Sequence, residues 1–105
     1  MTLREILDAS AEETPGVEFG TAEDGGTTWS SGKRVFATLS ADGSTASFLL
    51  DPIVANAAAR TPDVSRSSRG PGWVDLAPKI VDGHVYDRAR AWFLSGYRRL
   101  TGPGA

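Results

Sequence analysis

Two pairs of cations and one tryptophan are the residues here whose types and spacing suit chemistry. Lys33 and Arg34 stand directly after Gly32 in "WSSGKRVFATL", while Arg66 and Arg69 lie in "SRSSRGPGW", just ahead of Trp73. Cations at a hairpin mouth and in a loop suit contacts to phosphate oxygens. An indole beside an arginine suits stacking on a base. The same residues have plainer uses: Lys33 and Arg34 solvate a turn, Arg66 and Arg69 solvate a loop, and Trp73 packs into a core.

Other chemistries are poorly served. His84 is the single histidine, set among Asp82, Gly83 and Asp87 at a helix start, where a solvated cap-region residue is expected rather than a general base. The chain has no cysteine, which excludes disulfides, thiolate ligands and a thiol nucleophile. No metal-ligand spacing is present, and the glycines of "EDGG" and "RGPG" lack the lysine and the strand–helix context of a phosphate loop. They are turn residues. No catalytic residue, metal or cofactor is expected, and the chain reads as non-enzymatic.

Size and charge set the frame for these residues. With 105 residues the chain is one domain, 1–105, able to bury roughly two-thirds of its unfolded surface without staples. The net charge of −2 conceals a division: residues 1–52 carry three cations against nine acids, and residues 53–105 carry eight cations against four acids. Such polarity can attract an anionic partner to one face. The start, "MTLREILDAS", has no apolar run of the signal-peptide kind, and no window approaches the ~20 apolar residues of a membrane span. The expectation is a cytoplasmic protein without a membrane partner, monomeric or weakly dimeric.

The positioning elements follow from the pattern. Thr2-Leu3-Arg4-Glu5 fits a capping box, and Leu3, Ile6 and Leu7 continue a helix to about Glu13, stopped by Pro15-Gly16. "VEFG" is briefly extended and Ala22–Gly26 is a loop. "TTWS", "RVFATLS" and "TASFLL" form a meander, turned at Ser31-Gly32 and at the Asp42-Gly43 pair. Strict alternation would put Val35, Ala37 and Leu39 on one side and Phe36 and Thr38 on the other. Asp51-Pro52 starts a second helix with Ile53, Val54, Ala57 and Ala58 as its apolar face. "TPDVSRSSRGPG" reads as a long exposed loop, and "WVDLA" as a strand with Trp73 and Asp75 opposed to Val74 and Leu76. A final helix carries the stripe Val85, Ala89, Trp92, Phe93, Gly96, Tyr97 and Leu100, followed by a frayed tail over about 101–105. The class is α+β: two layers, an antiparallel meander packed by helices.

Taken in order, "PGVEFG", "GKRVFATL", "FLLDP", "GWVDL" and the terminal "WFLSGYRRL" resemble the MmcQ/YjbR family of small bacterial proteins, over about Leu3 to Leu100. The chain departs from that pattern at Arg34, in the short segment between Pro62 and Trp73, and at Gly96. The resemblance implies a fold similar to type III secretion chaperones, also described as a double-wing DNA-binding fold. It implies DNA as a candidate partner, with Lys33 and Trp73 the positions nominated. A nucleic-acid site of Lys33, Arg34, Arg66, Arg69 and Trp73, making phosphate contacts with little base readout, is therefore the leading expectation. The alternative is a protein-interaction module that receives a partner peptide on a strand edge or helix face.

Overall fold

Thr2 caps the first helix as its spacing predicts. In the computed structural model, which describes residues 1–101, the Thr2 hydroxyl accepts from the Glu5 amide at 3.2 Å and the Thr2 amide donates to Glu5 Oε1 at 3.0 Å. Helix α1 spans Leu3–Glu12 and buries Leu3, Ile6, Leu7 and Ser10. The chain then runs through β1 (Glu18–Thr21), β2 (Thr27–Ser31), β3 (Arg34–Leu39) and β4 (Ala46–Leu49). Helix α2 (Pro52–Ala58), β5 (Val64–Arg66), β6 (Trp73–Leu76) and α3 (Gly83–Thr101) follow. The six strands form one antiparallel sheet in the order β1-β2-β3-β4-β6-β5. The fold is α+β. Of the tail expected over 101–105, Thr101 closes α3, and the rest lies outside the described residues.

Three expectations are corrected. The segment 61–72 is not a continuous loop, because β5 lies within it and pairs Val64, Ser65 and Arg66 with Leu76, Asp75 and Val74. A three-residue edge strand is too short and too polar to show alternation. On α2 the buried residues are Ala55 and Ala58, while Ile53 and Val54 are 80 % and 41 % exposed. The small side of α2 meets the strands beneath it, and the bulkier residues are left outside. In β3, strict alternation fails at Phe36. Trp29 faces Ala37 but Ser30 faces Val35, so Phe36 is an extra residue on β3, a β-bulge. Phe36 and Ala37 therefore both enter the core, and only Thr38 keeps its expected opposition to Leu39.

That core lies between the sheet and its helices. Phe93 of α3 meets Phe36 and Trp29 edge-on, at centroid distances of 5.0 and 6.0 Å, and Trp92 meets Phe48 at 6.0 Å. Gly96 is where α3 crosses closest: a Cβ there would stand 3.0 Å from the Leu49 carbonyl oxygen and 3.1 Å from the Phe36 ring. Among the described residues no helix is long and apolar enough to cross a membrane.

Candidate functional site

Because side chains alternate along a strand, the sheet has a second face, and the three helices all pack on the first. The register places Gly20, Thr28, Thr38, Ser47, Asp75 and Ser65 in one row across all six strands of that second face. Beside the row, Leu49 pairs with Trp73. This face is hydroxyl-rich where the opposite row (Trp29, Ala37, Phe48, Val74) is apolar. Ser47 Oγ donates to Asp75 Oδ1 at 2.6 Å. Thr38 and Ser47 are only 4 % and 6 % exposed, although no helix covers them.

Two loops do the covering. The β1–β2 loop brings in Asp24, whose Oδ1 accepts from the Gly26 amide at 2.8 Å. Gly26 has no room for a side chain, since a Cβ would stand 2.6 Å from the Leu39 carbonyl oxygen. The β5–β6 loop folds back through Ser67 N–H to the Trp73 carbonyl at 3.0 Å, and Arg69 N–H to Ser67 Oγ at 3.2 Å. Gly72 passes so near Leu50 that a Cβ would meet its carbonyl oxygen at 2.7 Å. Arg69 is thereby laid over the Trp73 ring, with its Cζ 5.5 Å from the centroid. Between the loops is a cleft of about 80 Å³, with Thr38 and Ser47 among its lining and Asp24 and Arg69 contributed by opposite loops.

The five candidate residues do not share one surface. Arg69 and Trp73 are together on the helix-free face. Arg66 is on the other: it pairs with Val74, a core residue, and its guanidinium donates to Asn56 Oδ1 of α2. Side chains three residues apart in the chain thus point to opposite layers. Lys33 and Arg34 are exposed at the β2–β3 turn, toward the same end of the sheet as Trp73, but Arg34 pairs with Ser31, two residues from Trp29, and so lies on the helix side with Arg66. That turn is Gly32-Lys33 rather than Ser31-Gly32. Both residues have left-handed backbone, φ 57° and 71°, as a type I′ hairpin demands. Lysine is a costly choice for that conformation, by about 1–2 kcal/mol. Lys33, Arg34 and Arg69 are all absent from the ion pairs Arg4–Asp8, Arg90–Glu13 and Arg99–Asp51.

Residues not singled out from the sequence belong to this face as well: Asp24, Thr38 and Ser47. Their signal was present but faint, a polar residue alternating with apolar neighbours in each of two central strands. His84 is exposed in the first turn of α3, beside the capping Asp82, whose carboxyl is held below the usual range by the Val85 amide it accepts. No family model, curated protein or solved structure matches the chain.

Proposed function

We propose that this chain is a non-enzymatic, cytoplasmic nucleic-acid-binding protein of the MmcQ/YjbR kind, and that it takes a single strand across the helix-free face of its sheet. The observation that carries this is the Arg69 guanidinium laid over Trp73 on a face no helix covers, a flat cationic surface on which an unpaired base can stack. Lys33, at the same end and outside the ion pairs of the described residues, serves a phosphate, while Arg34, paired with Ser31 on the helix side, is left out. Arg66, tied to α2 on the other layer, is left out.

Few cations and a net charge of −2 make the binding weak and moderately salt-dependent. Each phosphate contact to a single strand adds roughly 0.7 to the slope of log affinity against log salt. Fluorescence anisotropy of a labelled mixed-sequence single strand tests this, with the matching duplex alongside. The single strand binds more tightly, Trp73→Ala and Arg69→Ala remove most of the affinity, and Arg66→Ala does not. Absence of binding at low salt would sink the proposal.

A second reading has its own observation. Between α2 and α3 an apolar cleft of about 310 Å³ is lined by Val54, which is exposed, with Ala57, Ala58 and Trp92 among others. A partner peptide seated there would bind with little salt dependence and be lost on Val54→Asp.

A further inference from the structure

The cleft beside Arg69 has walls of opposite character. The guanidinium of Arg69 can only donate hydrogen bonds, and the carboxylate of Asp24 can only accept them. Asp24 uses Oδ1 for the Gly26 amide, and its Oδ2 makes no hydrogen bond to a described residue. On the floor, Ser47 is engaged by Asp75, but Thr38, 4 % exposed, makes no side-chain hydrogen bond to any described residue. Among the described residues the one buried side-chain polar atom without a partner is Arg88 Nε, so the Thr38 hydroxyl is open to the cleft, where a ligand can meet it.

A bare phosphate suits this cleft poorly, because the Asp24 carboxylate in its lining repels it. The ligand must present acceptors to one wall and a donor to the other. The fork of Arg69 is best met by two adjacent acceptors, and Asp24 Oδ2 by an adjoining donor. Among nucleobases that order occurs in two. Guanine has N7 and O6 followed by N1–H and N2–H₂, and cytosine has O2 and N3 followed by N4–H₂. In adenine the amino donor lies between single acceptors, and in thymine and uracil the N3–H donor does. With a volume of about 80 Å³, the cleft admits the edge of a base while its ring stays outside.

We infer that the cleft between the β1–β2 loop and Arg69 is a base-edge site that selects guanine or cytosine over adenine and thymine. This rests on the proposed binding of a single strand to the helix-free face. It adds that Arg69, steadied by Trp73, reads a base edge as well as offering its flat surface.

The test uses the intact chain and labelled thymine tracts of equal length, each with one central residue changed to guanine, cytosine or adenine. The guanine tract, the cytosine tract or both bind about tenfold more tightly than the adenine and all-thymine tracts. Asp24→Asn keeps Oδ1 for the Gly26 amide but puts a donor where Oδ2 accepts, and it collapses the preference while overall binding persists. Thr38→Val, of similar shape, reduces the preference less. A 7-deaza base in the guanine tract tells an N7 contact from a cytosine-type one. Equal binding of all four tracts, or a preference unchanged in Asp24→Asn, overturns the base-edge site and leaves the strand-binding proposal standing. Binding to none of them overturns that proposal, and this site with it.

Discussion

The two faces of one sheet are built by the same six strands and hold opposite kinds of residue. On the helix side, Trp29, Phe36, Phe48 and Phe93 are fully buried, with Phe93 edge-on to Trp29 and Phe36 and Phe48 edge-on to Trp92. On the other side, the row Thr28, Thr38, Ser47, Asp75 and Ser65 is covered only by two loops, and Trp73 stays half-buried under Arg69. The first face supplies stability, since large apolar side chains removed from water contribute most. The second carries the cleft. The difference teaches that burial alone does not identify the core here: Thr38 is nearly as buried as Phe48, yet it lines a cleft.

The comparison breaks most visibly on truncation of one aromatic from each face. Phe36→Ala, at the bulge, costs about 3–5 kcal/mol in urea unfolding. Trp73→Ala costs less, about 1–2 kcal/mol, because its ring is only half removed from water. Equal losses would mean that the open face is part of the core. Next in size is Gly96→Ala. Alanine favours a helix by about 1 kcal/mol over glycine, but a Cβ 3.0 Å from the Leu49 carbonyl oxygen forces α3 away from the sheet. Overpacking of this kind costs about 1–3 kcal/mol, so the variant melts lower. A higher melting temperature would show that the crossing is looser than its geometry indicates.

A smaller effect has the opposite sign. Lys33→Gly relieves the left-handed backbone at φ 71° and stabilises the hairpin by roughly 0.5–1 kcal/mol, while weakening the affinity for a single strand. Stability gained together with affinity lost would separate a residue kept for binding from one kept for folding. Gain without loss would return Lys33 to solvating the turn.

The smallest effect is at the β3–β4 turn. Asp42 accepts from the Ser44 amide at 3.0 Å and from the Ser44 and Ser40 hydroxyls at 2.7 Å each, which lowers its pKa from 3.8 to about 2. A depressed carboxyl pKa stabilises the fold above the unfolded value, so this contribution is complete above about pH 4 and is lost as pH falls through 2. An NMR titration of the Asp42 carboxyl that gave a midpoint near 3.8 would show that those hydrogen bonds do not hold in solution.

Much of the fold is legible residue by residue. Thr2 and Glu5 declare the start of α1, Asp51-Pro52 that of α2, and the Val85–Leu100 stripe names the residues α3 turns to the sheet. These signals are local, because caps and helical periodicity act within a few residues of the chain. The candidate site was legible only in part. Arg69 and Trp73 are four residues apart and do meet, whereas Arg66 and Arg69, closer in sequence, are sent to opposite layers. What separates them is the pairing of β5 with β6, a short polar strand that leaves no pattern of its own.

By itself the sequence determined the α+β class, the helix starts and the apolar stripe of α3, since each depends on neighbours within a turn or a hairpin. Only the tertiary structure decided which side of α2 is buried, that Phe36 joins Ala37 on the core face, and that Asp24, Thr38 and Arg69 line one cleft. Those outcomes depend on which strand lies beside which, and strand register is set by packing between segments far apart in the chain.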